Sequence, residues 1–202
     1  MFDMKGKFIA FEGLDGSGLS TQSRMLKEYL LEKGKRVVLT KEQTEDFIGG
    51  LIKSSLRKHI KISNLTLQLM FVADRAYHLD KEIEPALEEG RIVICDRYIF
   101  STLAFGSLDV DMDFLKILNS KFRKPDLTFI IDCDPEVCLE RISKERFHLE
   151  FFEEKNKMEK TIANYLSLKD YFPNVYIIDG NRSKEEVFED IRKIVDEAFK
   201  AE

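Results

Sequence analysis

Phe8-Ile9-Ala10-Phe11-Glu12-Gly13-Leu14-Asp15-Gly16-Ser17-Gly18-Leu19-Ser20-Thr21 is the stretch on which the fold turns. A short apolar run, too brief for a helix, leads into three closely spaced glycines and then into an amphipathic segment from about Ser20 to Lys33. A buried strand, a glycine-rich turn and a helix in succession let backbone N–H groups converge on phosphate oxygens at a helix N-terminus. Gly13 to Ser20 fits the phosphate-loop pattern G-x-x-x-x-G-K-[ST] at every fixed position but one, because Leu19 stands where lysine is expected. Gly13, Leu14, Asp15, Gly16, Ser17, Gly18, Leu19, Ser20 and Thr21 are thus the candidate nucleotide-binding residues. Most of that cradle is backbone and survives Leu19, but one positive charge near the β- and γ-phosphates is lost. The Ser20 hydroxyl is of the kind that ligates a magnesium ion.

Working outward, four more short apolar runs follow: Val37-Val38-Leu39, Ile92-Val93-Ile94-Cys95, Leu127 to Ile131, and Val175 to Ile178. Together with Phe8 to Phe11 they read as five buried parallel strands, separated by stretches long enough for crossover helices, which is a three-layer α/β domain. Ligands to such a sheet bind at the carboxyl ends of its strands. That edge carries Glu12 to Ser20, Lys41 to Asp46, Asp96 to Ser101, Asp132 to Asp134 and Asp179 to Arg182. Gly34 closes the first helix, Ser63-Asn64 caps a long one, Asp134-Pro135 opens another, and Pro85 predicts a break in the Asn64 to Glu89 stretch. The charged segment from Ser143 to Lys160, with Phe147, Phe151 and Phe152, reads either as a solvated helix face or as a mobile flap.

Two further segments carry chemistry. Asp96-Arg97-Tyr98 ends the third strand, where Asp96 can hold magnesium and Arg97 can grip a phosphate with its planar fork; a strand-end ion pair in solvent is the plainer alternative. Phe71 and Arg75 lie four apart on one helix face, so a ring and a forked donor project together and can stack on a base and bond its edge. Taken alone, they are a core aromatic and a surface arginine.

Composition narrows the field. The chain has 202 residues, 44% apolar and 34% charged, with a net charge of −5, enough for one domain (1–202) that withdraws roughly 70% of its unfolded surface from water. The acidic balance argues against a nucleic-acid-coating protein. No run approaches the roughly 20 apolar residues of a membrane span and the start lacks a secretion signal, so a cytoplasmic protein is expected. Cys95, Cys133 and Cys138 suggest neither a disulfide framework nor a zinc site, and His59, His78 and His148 read as surface or helix residues.

In order and spacing, these blocks resemble the thymidylate kinase family, ATP:dTMP phosphotransferases of the P-loop kinase class. The likeness runs through Phe11 to Gly18, Phe71 to Arg75, Asp96 to Phe105, Pro125 to Leu127, Asp132 to Glu136 and Leu139 to Arg141. It implies a three-layer P-loop kinase fold with a short lid at about 143–152, phosphorylation of dTMP to dTDP in dTTP synthesis, ATP as donor with Mg2+, and a homodimer. By the resemblance Phe71 stacks on thymine, Arg75 bonds its edge, Arg97 holds the dTMP phosphate, and Ser101 and Phe105 line the acceptor pocket. Asp15 sits near the sugar 3′-hydroxyl, Arg141 near the ATP base or lid hinge, and Lys144 or Arg146 reaches the transferring phosphate. Arg97, Arg146 and Asp15 are the candidate catalytic residues; Ser20 and Asp96 are the candidate metal ligands. The sequence departs from the family at Leu19, at Lys41-Glu42-Gln43-Thr44 where Arg-Glu-Pro-Gly is common, and at Gly106 where many members carry glutamine. Leu19 keeps open a nucleotide-binding protein with little turnover, and a kinase for another nucleotide or a deoxynucleoside is the second alternative.

Overall fold

The computed structural model describes residues 6–142 and 148–200, with the side chains of 148–154 left out. Five strands, β1 (Lys7–Gly13), β2 (Val37–Lys41), β3 (Ile92–Asp96), β4 (Leu127–Asp132) and β5 (Val175–Asp179), form one sheet in the order β2-β3-β1-β4-β5. All four pairings are parallel. All five strands begin where the apolar runs predict or one residue earlier, and each ends one or two residues later, at a charged residue or at Gly13.

The two faces of β1 show why three layers form, since successive side chains of a strand point to opposite sides. Phe8 and Ala10 join Val93, Cys95 and Ile130 in one core, against α5 (Ile99–Gly106), α8 (His148–Ser167) and the segment ending in α4 (Glu84–Glu88). Ile9 and Phe11 join Ile94, Phe129 and Ile131 in the other, against Leu26 and Leu30 of α1 (Leu19–Glu32) and Val187, Ile191 and Val195 of α9 (Lys184–Lys200). β1 is central, and the chain leaves it toward β2 on one side and later returns to β4 on the other. The resulting crevice at the strand carboxyl ends is where the glycine turn lies.

The helix punctuation follows the residues. Gly34, at φ 73°, closes α1 by donating its N–H to the Leu31 carbonyl at 2.9 Å. Ser63 Oγ accepts from the Thr66 N–H to start α3 (Asn64–His78). Pro85 has no N–H for the Lys81 carbonyl, and the chain before it takes a π turn over Leu79–Ile83 before α4 begins. Asp134 Oδ1 accepts the Glu136 N–H at the start of α7 (Pro135–Ile142). The remaining helices are α2 (Phe47–Leu56) and α6 (Met112–Asn119). The three cysteines are free and buried. His78 is a helix residue, as read, and is buried at 2% exposure, held by Thr40 Oγ1 at 2.8 Å and Glu82 at 3.1 Å.

Candidate active site

A cavity of about 910 Å³ opens at the carboxyl ends of β1, β2 and β3, and the glycine turn forms its floor. Gly13, Gly16 and Gly18 have φ of 152°, 81° and 105°, a region that side-chain-bearing residues avoid. At Gly16 a Cβ would also strike the Cys138 carbonyl oxygen at 2.5 Å. Leu14 is fully buried beneath the turn with Cys133 and Cys138, and Ser17 Oγ ties back to the Leu14 carbonyl at 2.8 Å. These anchors leave the first N–H groups of α1 facing the cavity without a side-chain cap, the arrangement that suits a polyphosphate. Arg141 lies against the same turn, its guanidinium 3.2 Å from the Gly180 carbonyl and 3.5 Å from those of Gly16 and Ser17. Leu19 is 5% exposed; its side chain packs in the core with Phe11, Ile131 and Val187 at the cavity edge.

Ser20 and Asp96 come together as the sequence suggests: Ser20 Oγ donates to Asp96 Oδ2 at 2.5 Å. A hydroxyl and a carboxylate at the foot of a phosphate cradle are hard oxygen donors, the chemistry a magnesium ion requires. Arg97 follows at φ 72°, uncommon for a non-glycine residue. Its guanidinium pairs with Asp15 at 2.6 Å, donates to the Gly13 carbonyl at 2.9 Å and to Ser101 Oγ at 3.2 Å, and lies 5.3 Å from the Phe105 ring centroid. It is a locked group inside the cavity rather than a strand-end ion pair in solvent.

Phe71, half-buried, and Arg75, 1% exposed, face the other end of the same cavity. Arg75 Nε donates to Glu42 Oε2 at 3.0 Å and Nη2 does so at 2.5 Å; Nη2 also reaches the Tyr98 carbonyl, and Nη1 donates to Asn119 Oδ1. Burial, which disfavours the charge, is outweighed by Glu42 and Tyr98, so the Arg75 pKa is raised. Glu42 itself belongs to a connection anchored by Asp74, which accepts the Thr44 N–H at 2.8 Å and Thr44 Oγ1 at 2.6 Å.

Residues 11–191 match the sequence profile described as thymidylate kinase. A probable thymidylate kinase of Pyrococcus horikoshii is 39% identical over 198 residues, spanning 95% of this chain and 97% of that one. A thymidylate kinase of Caldicellulosiruptor saccharolyticus is 37% identical over 204 residues, 98% of this chain and 99% of its own. The crystal structure of thymidylate kinase from Ehrlichia chaffeensis superposes with a TM-score of 0.75 at 30% identity, covering 95% of this chain and 99% of that one. The chain belongs to the thymidylate kinase family.

Several residues of this thymidylate kinase family site are not evident from its motifs. Glu12, 1% exposed, accepts the N–H groups of Tyr98 and Phe100 at 3.0 and 2.9 Å and the Ser101 hydroxyl at 2.6 Å. It thereby fixes the turn that carries Arg97. Burial pushes its carboxyl up to about 7, against the opposing effects of the Ser101 hydrogen bond and the Arg97 charge. Tyr165 OH lies 2.8 Å from Ser101 Oγ, extending the network to α8. The sequence signals for Glu12 are its place at the end of the apolar run Phe8 to Phe11 and within the Phe11 to Gly18 block. Lys144 and Arg146 lie outside the described residues, as does 143–147 of the expected lid; 148–152 is backbone of α8.

Proposed function

We propose that this member of the thymidylate kinase family transfers the γ-phosphoryl group of ATP to dTMP, a step of nucleotide biosynthesis. The observation that carries the reading is that one cavity holds both the phosphate cradle and the trio of Phe71, Arg75 and Arg97. The bond from the γ-phosphorus to the β-phosphate oxygen breaks as a bond to a dTMP phosphate oxygen forms, giving ADP and dTDP. A phosphate monoester is largely dianionic at neutral pH, its second pKa being about 6, so no base need remove a proton. Positioning and charge neutralisation remain to be supplied. The loop N–H groups hold the donor phosphates, and Gly13 to Thr21 with Arg141 frame the ATP end. Arg97 holds the acceptor phosphate, Asp15 lies at the sugar side, and Ser101 and Phe105 line the pocket in which Phe71 stacks on the base.

Ser20 and Asp96 are the residues that would hold Mg2+, which when bound neutralises charge on the phosphates. Arg146, with Lys144 beside it, completes the cation set in this reading, delivered by the lid at about 143–152. A homodimer is supported by the apolar side chains that α2 and α3 leave exposed: Phe47 and Leu51 a turn apart, then Leu65 and Leu69 a turn apart. No helix among the described residues is long and apolar enough to cross a membrane; we place the enzyme in the cytoplasm with its nucleotide substrates.

A coupled assay with magnesium ATP and dTMP, dUMP, UMP, CMP, dAMP, dGMP or thymidine tests the assignment. The highest kcat/KM is expected with dTMP, and thymidine, which brings no phosphate to Arg97, is expected to give no product. Nucleotide binding without turnover on any acceptor would favour the alternative that Leu19 raises, although loss of one charged donor is worth on the order of 10²–10³ in rate and slows an enzyme rather than silencing it.

A further inference from the structure

One turn before Phe71, the acceptor end of the cavity contains a polar group that no motif includes. Gln68 of α3 is 8% exposed and lines the cavity, and its Oε1 is buried with no hydrogen-bond partner among the described residues. A buried amide oxygen left unpaired is uncommon, because it forfeits its bond to water without replacing it. The amide sits where residue 106 would carry a side chain: a Cβ on Gly106 would lie 2.7 Å from Gln68 Oε1 and 2.8 Å from its Cδ. Gly106 is helical, a backbone any residue adopts, so what a side chain there lacks is room. The glycine in α5 and the glutamine in α3 thus form a matched pair.

Gln68, Phe71 and Arg75 occupy positions i, i+3 and i+7 of α3, one face of the helix. Arg75 has five N–H groups; Glu42, Tyr98, Thr102 and Asn119 engage Nε, both hydrogens of Nη2 and one hydrogen of Nη1. The remaining Nη1 hydrogen is a donor and Gln68 Oε1 is an acceptor, on residues that flank Phe71 along the helix and line the same cavity. A base stacked on that ring is matched when its edge presents a donor beside an acceptor, as the N3–H and O4 of thymine and uracil do. Cytosine, with an unprotonated N3 and an amino group, presents the reverse.

We propose that the Gln68 amide turns its Oε1 out from against Gly106 to accept the N3–H of the acceptor base, which makes Gln68 a specificity-determining residue. This inference rests on the dTMP kinase reading above. It assigns to α3 both halves of base recognition and explains why Gly106 bears no side chain. Wild type, Gln68→Leu and Gly106→Ala are compared by steady-state kinetics at saturating magnesium ATP with dTMP, dCMP and N3-methyl-dTMP. Gln68→Leu, similar in volume, should lower kcat/KM for dTMP by roughly 10- to 100-fold, mainly through the dTMP KM, leave the ATP KM unchanged and reduce the preference over dCMP. N3-methyl-dTMP should be a poor acceptor for wild type and no worse for Gln68→Leu. Gly106→Ala, displacing the amide from the other helix, should shift dTMP kinetics in the same direction. A folded Gln68→Leu with the wild-type preference for dTMP over dCMP overturns the proposal. So does a wild type that uses N3-methyl-dTMP as well as dTMP, a result that stands even if Gln68→Leu does not fold. Wild type inactive on dTMP but active on another nucleotide would instead overturn the functional reading, and this inference with it.

Discussion

Ser20 Oγ and Asp96 Oδ2, 76 positions apart in sequence, meet at 2.5 Å where the first helix turn faces the end of β3. Residues that share one task lose it together, so single and double changes are not additive. Ser20→Ala and Asp96→Asn should each lower kcat by roughly 10²-fold and raise the magnesium concentration for half-maximal rate, and the double variant should be little worse than either single one. Initial rates over a magnesium titration measure this; strictly multiplicative losses would separate the two residues.

Arg75 and Glu42 form an ion pair with side chains 1% and 4% exposed. Removing one member of a buried pair leaves the other charged and unsatisfied, which costs about 3–5 kcal/mol. Glu42→Ala should show that loss in urea unfolding. It should also raise the dTMP KM, because the guanidinium is no longer held beside Phe71.

The Glu12 carboxyl, pushed up by burial to about 7 from an ordinary 4.5, is favoured by the fold in its protonated form. Its stabilising contribution is complete below the unfolded value and is lost as pH rises through the folded one, a change of roughly 3 kcal/mol at most. Glu12→Gln should flatten this dependence, since its Oε1 can keep both amide donors while Nε2 turns to Ser101 Oγ. Denaturant unfolding between about pH 5 and 8 should show wild type losing stability relative to the variant, and parallel curves would contradict it.

Leu19 behaves as a core leucine at the edge of a nucleotide site. Leu19→Ala should destabilise by about 2–4 kcal/mol, while calorimetry should find magnesium-ATP affinity changed by no more than about twofold, because the cradle is backbone. A large loss of affinity with unchanged stability would reverse that assignment.

The sheet, its helices and their caps are legible because they depend on local pattern. An unbroken apolar run marks β1 as buried on both faces, Gly34 supplies a left-handed conformation and Pro85 removes a donor. The cradle and the Ser20–Asp96 pair are legible for a related reason, since a glycine turn after a buried strand has few other uses. Glu12, Glu42, His78 and Gln68 escape a sequence reading because their meaning lies in partners far along the chain. Glu12 reaches Ser101 across 89 positions and Arg75 reaches Glu42 across 33, and nothing in a polar residue's neighbours announces that it will be buried. The segment Lys41-Glu42-Gln43-Thr44 shows the same limit, for the glutamate it shares with the Arg-Glu-Pro-Gly pattern secures the arginine of another motif.

The side chain at position 19 also decides which reagents can find this protein in a mixture. Acyl-phosphate derivatives of ATP label kinases by presenting an electrophilic carbonyl to an amine beside the terminal phosphates. Here they meet a leucine that belongs to the core cluster of Phe11 and Val187. Covalent profiling that depends on a lysine in the loop would pass over this chain or mark another lysine along the cavity, such as Lys41 or Lys184. The position of the tag would then report which amine stands nearest the end of the bound triphosphate.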